Sequence, residues 1–409
     1  MSEKLPKGFS YAGAACGIKP ENLPDLALIF SDAPAVAAAV FTQNRYAAAP
    51  VQYDRTLLEV NPERVHAVIV NSGNANAVTG PVGLANARRM AEAVERTFGL
   101  DPWSTLVMST GVIGVQLPVE RIEAATPTLF GALQANEIGF DAAARAIMTT
   151  DTCPKTTSQQ IQIGDAAVTI AGMCKGSGMI HPNMATMLAV ITTDARLSPE
   201  AAQRVLKRAA DASFNRISVD GDTSTNDTVA LLANGLAGGV LIQPETPECE
   251  AFSQALTALS IRLAQAIVRD GEGATKFVTV RVSGLGNDRA AHQAANAIVT
   301  SPLVKTAIYG GDANWGRILA AAGYSGAEFE PDAAELWISG GATEDAYLPK
   351  LHIVSRGMPL AYDETEAAKR FAQPELLIEL QLGDGPGQTT MWTCDLSHEY
   401  VTINGEYRT

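Results

Sequence analysis

The sequence predicts an α+β fold built on mostly antiparallel sheets. Strands and helices are interspersed without the steady alternation of a parallel βαβ sheet. Residues 159–163 and 166–171 flank a two-residue Gly164-Asp165 turn, the spacing of a β-hairpin. The last third of the chain is crowded with short strands. At 409 residues the chain exceeds one compact core, so two or three domain-sized units are expected.

Taken in order, residues 26–30 and 36–41 read as strands, and 66–70 as a buried strand ending at the polar Asn71-Ser72-Gly73-Asn74 loop. Residues 81–98 form an amphipathic helix stopped by Gly99, which tolerates left-handed backbone. Residues 105–108 form a strand that delivers Ser109-Thr110-Gly111 to a turn, and helices follow at 118–133 and 141–148. Beyond the hairpin, Met187 to Thr193 is an unbroken β-branched, apolar run expected to be a buried strand. Ser198-Pro199-Glu200 then starts a helix reaching Ala212, with a serine N-cap and proline at the first helical position. An apolar stretch at 229–232, a long helix at 246–269, a strand at 277–282 and a helix at 289–299 come next. Strands at 335–338, 351–354, 376–382 and 400–403 complete the reading.

Hydrophobic residues make up 46% and charged residues 18%, which describes a soluble protein with a sizeable core. A formal charge of −14 argues against nucleic acid or an anionic membrane as a partner. No stretch has the ~20 uninterrupted apolar residues of a membrane span, and the first residues lack the apolar core of a signal peptide. The five cysteines are scattered without a C-x-x-C pair, as expected of reduced thiols in a cytoplasm. The five histidines show no metal-ligand spacing.

The stretch richest in chemistry runs from Lys175 to Asp194, K-G-S-G-M-I-H-P-N-M-A-T-M-L-A-V-I-T-T-D. Glycine and proline turns lead to a small residue, Ala185, followed by the hydroxyl of Thr186 at the mouth of a strand. That pattern suits backbone self-cleavage, in which the Thr186 hydroxyl attacks the Ala185 carbonyl and the resulting ester is hydrolysed. Cleavage would free an α-amine with a pKa of about 7.7–8.0, a general base on the same residue as the nucleophile. The same dipeptide also serves as an ordinary step from loop to strand. Acyl transfer through Thr186 creates an oxyanion, and the Thr110 hydroxyl with the Gly111 N–H are suitable donors for it; an S-T-G turn is the plainer alternative.

Other motifs are weaker. The acidic run from Asp220 to Asp227 fails the calcium-loop pattern, with Thr225 where glycine and Leu231 where glutamate are required, so it reads as a hydrogen-bonded turn. Gly176-Ser177-Gly178 hints at a phosphate cradle, but its lysine precedes the glycines and an extended segment follows.

As a set, Lys175 to Thr186, Pro6-Lys7-Gly8-Phe9, Asn71 to Ala77, Ser109 to Gly114, Asp220 to Asp227, Gly310 to Arg317 and Ile403-Asn404-Gly405 resemble the ornithine acetyltransferase family, the glutamate N-acetyltransferases of arginine biosynthesis. The resemblance spans nearly the whole chain in the family's order. It implies an αββα sandwich with a smaller second domain, self-cleaved into fragments 1–185 and 186–409 that share one core. It also implies acetyl transfer from N2-acetylornithine to glutamate by a ping-pong mechanism, with Thr186 as nucleophile and Thr110 and Gly111 as the oxyanion hole. The family's substrate contacts fall on Thr152, Lys175, Thr186, Glu272, Asn404 and Thr409. By charge, Lys175 suits the substrate α-carboxylate and Glu272 the distal ammonium of ornithine. No metal or organic cofactor is implied; acetyl-CoA is a possible second acetyl donor. A cytoplasmic heterotetramer of two copies of each fragment is the implied assembly. Two rivals remain: an amidase or aminopeptidase on the same self-cleaving machinery, and a non-catalytic ligand-binding protein that stays uncut.

Overall fold

A computed structural model of the chain describes residues 4–181 and 187–406. It divides into two compact units: residues 1–215 with 222–267, and a smaller unit of 216–221 with 268–409. The Ala185–Thr186 step lies outside the described residues, and the first unit extends to both sides of it in sequence. Nine of the thirteen strand pairings among the described residues are antiparallel, in keeping with the predicted α+β class.

The first unit begins with β1 (Phe9–Ala14), β2 (Leu26–Phe41), α1 (Ala49–Val60), β3 (Val65–Asn74), α2 (Gly80–Phe98) and β4 (Thr105–Val112). It continues through α3 (Val119–Gly131), α4 (Glu137–Ala146), β5 (Lys155–Ile163), β6 (Ala166–Lys175), β7 (Leu188–Thr193) and α5 (Pro199–Ala212). After the short β8 (Ile217–Ser218) of the other unit come β9 (Thr228–Ala233) and α6 (Pro247–Arg269). Among the described residues its sheet has the order β4-β3-β2-β9-β7-β6-β5, with β1 also on β2. All six residues of β7 are buried, which explains its apolar run without alternation. Fully burying side chains such as Val190 and Ile191 contributes about 1.5–3 kcal/mol each.

Local chemistry fixes the helix ends that the sequence marks. The Ser198 side chain accepts from Ala201 N, and Gly99 closes α2 with φ 67°. Helix α6 is long and apolar enough to cross a membrane by length and composition, but Leu256, Leu259 and Leu263 are buried. A Cβ at Gly172 would lie 2.9 Å from Leu263, so the bare glycine in β6 admits this helix.

Four expectations are corrected. Strand β3 does not end in a loop at Asn71 but runs on through Asn74, paired with β4. The strands at 26–30 and 36–41 are one strand, β2, whose register against β3 shifts between Phe30 and Ala35. Pro34 is tolerated at that irregularity rather than breaking the strand. Strand β4 does not turn at Ser109 but runs on through Gly111, and residues 400–403 are helical. The Y-V-T-I run there has β-propensity, but Val401 is exposed, so no sheet face claims it.

The second unit contains β8, β10 (Phe277–Gly284), α7 (Asp288–Thr300), α8 (Pro302–Tyr309), α9 (Trp315–Gly323), β11 (Ala334–Gly341), β12 (Leu351–Ser355) and β13 (Met358–Pro359). Its last elements are α10 (Glu364–Phe371), β14 (Glu375–Leu382), β15 (Gly385–Cys394) and α11 (His398–Glu406). The sheet order is β13-β12-β11-β14-β10-β15-β8, over a core that includes Val280, Ile298, Leu336, Phe371, Ile378 and Met391.

Candidate active site

Two of the sequence blocks become neighbours at the ends of parallel strands. β3 and β4 pair so that Asn71 faces Ser109 and Gly73 faces Gly111. Beyond that point the ladder is irregular, with Asn74 registered against both Thr110 and Val112. Gly111 has φ 132°, and a Cβ there would meet the Gly73 carbonyl carbon at 2.3 Å and Asn74 N at 2.5 Å. Both constraints require glycine.

Side chains hold this strand end in place. Ser109 Oγ donates to Asn71 Oδ1 at 2.6 Å, and Asn226 Nδ2 donates to Ser109 O at 2.8 Å and Ala75 O at 2.7 Å. Asn226 belongs to the acidic run, which is a bent loop before β9 rather than the expected backbone turn; its backbone amide donates to Ser224 Oγ at 3.1 Å.

The Thr110 hydroxyl is buried and accepts from Lys175 Nζ at 3.3 Å, at the end of β6. Because Oγ1 takes the lysine's proton as acceptor, the hydroxyl's own hydrogen is left to donate elsewhere. Asp151 lies under the same corner. Its Oδ1 accepts from Lys155 Nζ at 2.6 Å and from Gly176 N at 2.7 Å, and its Oδ2 from Thr149 N at 3.0 Å. Burial alone would raise its pKa; the charges of Lys175 and Lys155 and the Gly176 N–H outweigh burial and hold it at about 2. Half-buried Lys19 adds a third cation, its pKa lowered by burial and by the Lys175 charge despite Asp25 and Asp151. Lys175, Lys155 and Lys19 outnumber the two carboxylates Asp151 and Asp25 here, so the corner is rich in cations within a chain of net charge −14. Thr152 is exposed beside Asp151 in sequence.

The profile of the ArgJ family matches residues 10–409 of the chain. The chain belongs to the ArgJ family. The mitochondrial arginine biosynthesis bifunctional protein ArgJ of Chaetomium globosum is 50% identical over 420 residues, covering 99% of this chain and 88% of its own length. The bifunctional ArgJ of Thermotoga neapolitana is 48% identical, covering 99% of this chain and 100% of its own. Among solved structures, the ornithine acetyltransferase of Mycobacterium tuberculosis complexed with ornithine is 38% identical, with a TM-score of 0.41 over 44% of this chain and 94% of that chain.

Within this ArgJ-family chain, Glu272 and Asn404 meet in the second unit. Asn404 Nδ2 donates to Glu272 Oε2 at 2.7 Å, and Glu272 is buried while Asn404 is exposed. Ala185, Thr186 and Thr409 lie outside the described residues. Asp151 and Lys19 belong to none of the motifs above, and Asn226 stands in the acidic run with no role assigned to it. Each is an ordinary loop residue there, and only the fold reveals its partners.

Proposed function

We propose that this chain is a self-cleaving N-terminal-nucleophile acetyltransferase that carries acetyl from N2-acetylornithine to glutamate. Support comes from the ArgJ-family match over residues 10–409 and, in the geometry, from Lys175 Nζ 3.3 Å from Thr110 Oγ1. With Oγ1 accepting from Lys175, the Thr110 hydroxyl proton stays available to donate, as an oxyanion donor requires. After cleavage Thr186 Oγ attacks the acetyl carbonyl, and its proton passes to the Thr186 α-amine. The tetrahedral oxyanion is held by Thr110 and Gly111; ornithine leaves with the proton, and an acetyl ester remains on Thr186. The glutamate amine then attacks that ester and regenerates the enzyme.

The positive corner of Lys175, Lys155 and Lys19 suits the α-carboxylate that both substrates carry. Glu272, oriented by Asn404, takes the distal ammonium of ornithine, and Thr152 and Thr409 complete the substrate contacts. Acetyl-CoA is the proposed second acetyl donor. A cytoplasmic heterotetramer of two fragments 1–185 and two fragments 186–409 is the proposed assembly.

Mass spectrometry of the purified protein tests this reading. Two fragments meeting at Ala185 and Thr186, with one acetyl group on Thr186 after incubation with N2-acetylornithine, are expected. Added glutamate should then yield acetylglutamate. Release of free acetate instead would mark a hydrolase, and an intact, unacetylated chain would mark a binding protein.

A further inference from the structure

Strands β7 and β9 run parallel and start together, with Leu188 registered on Thr228. Their preceding residues are therefore side by side, and Met187 is held twice. Its amide donates to Asp227 Oδ1 at 3.0 Å, and its carbonyl accepts from Thr228 N at 3.1 Å. Met187 follows Thr186 directly, so this pair of bonds fixes the chain one peptide unit from the proposed nucleophile.

Asp227 is an odd choice for a purely structural anchor. It is fully buried, and its Oδ2 has no hydrogen-bond partner among the described residues. The nearby Thr42 hydroxyl gives its proton to Ser224 O at 2.7 Å and cannot also donate to Asp227. Burial pushes the carboxyl well above the usual carboxylate range, against the Met187 amide and the Lys175 charge. A neutral acid offers an acceptor on one oxygen and a donor on the other. Leaving the second oxygen without a partner in the core costs stability, as it does at Asp54, whose Oδ1 likewise holds a single backbone amide.

We propose that Asp227 is a positioning residue for Thr186: its Oδ1 anchors the amide of Met187, the residue that follows Thr186 in the chain. The proposal rests on the reading of Thr186 as nucleophile. Asparagine reproduces the acceptor-plus-donor pattern of a neutral acid in the same shape. Leucine keeps the branched shape but is larger and removes both functions, leaving the Met187 amide without its acceptor, so the thermal midpoint reads the folding cost separately.

The test measures cleavage half-time, kcat and KM for N2-acetylornithine, with thermal midpoints, in Asp227→Asn and Asp227→Leu. A reacting group misplaced by about 1 Å costs ~10²-fold. The Leu variant should therefore fold, cleave at least about tenfold more slowly, and lose kcat by at least about tenfold with KM within about twofold. The Asn variant should recover most of that loss. A folded Leu variant with wild-type kcat, an Asn variant as inactive as Leu, or activity lost only in proportion to folded protein would each overturn the assignment. The wild-type control keeps the two readings apart. If N2-acetylornithine leaves no acetyl group on Thr186, the nucleophile reading fails whatever the variants do; if it does, the variants decide Asp227.

Discussion

Replacing Asp151 by asparagine should loosen the corner that carries Lys175. In the wild type this carboxylate, buried with Lys155, titrates at about 2 rather than 3.8. That depression, from 3.8 to about 2, corresponds to about 2 kcal/mol of stability. Removing one partner of a buried ion pair typically costs ~3–5 kcal/mol, a figure that includes the first rather than adding to it. Because the folded pKa is depressed, the stabilisation is fully present above the unfolded value and disappears as pH falls through the folded one. The Gly176 and Thr149 amides both donate to Asp151, so their hydrogen exchange reads the local effect. At neutral pH their protection should fall by roughly thirtyfold or more in Asp151→Asn, the equivalent of ~2 kcal/mol. Wild-type protection should approach the variant's as pH drops from 3.8 toward about 2. Protection within threefold of wild type at neutral pH would refute the reasoning, since the ion pair would then be holding nothing.

Three further outcomes are expected. Thr110→Ala should be cut late but completely, because the Gly111 N–H remains, and should transfer acetyl ~10²–10³-fold more slowly once cleaved; wild-type turnover by the cleaved variant would remove Thr110 from the oxyanion hole. Glu272→Gln should raise KM for N2-acetylornithine far more than for glutamate, which lacks a distal ammonium, and equal losses would break that assignment. Gly111→Ala introduces a Cβ 2.3 Å from the Gly73 carbonyl carbon at φ 132°, so backbone strain of ~1–3 kcal/mol and a displaced β3 should lower the thermal midpoint by several degrees; an unchanged midpoint would show that the strand end relaxes without strain.

How much of this was legible in the sequence depends on the range of the interaction. Local signals survived intact: the Ser198 cap, the Gly99 stop, the Gly164-Asp165 hairpin and the unbroken apolar run of β7 all read correctly, because each is decided by neighbours in the chain. Where a tertiary partner decides, the reading failed. Ser109-Thr110-Gly111 looks like a turn, yet pairing with β3 keeps it extended. The run from Asp220 to Asp227 reads as a local hydrogen-bonded turn, but its partners lie far along the chain: Asn226 donates its side-chain amide to two backbone carbonyls, and Asp227 accepts from the Met187 amide.

The same distinction separates the two kinds of site residue. Lys175, Thr110 and Gly111 were found through motifs, and the fold brings the first two within 3.3 Å. Asp151 and Asp227 belong to no motif with a mechanism of its own. One is ionised because two buried lysines outweigh its desolvation, and the other is driven toward the neutral acid because one opposing charge does not. Two aspartates of identical chemistry thus take opposite protonation tendencies around the same lysine. That difference exists only in three dimensions: composition shows the carboxylates, but the number of cations packed against each one is set by where β6, β7 and β9 begin and end.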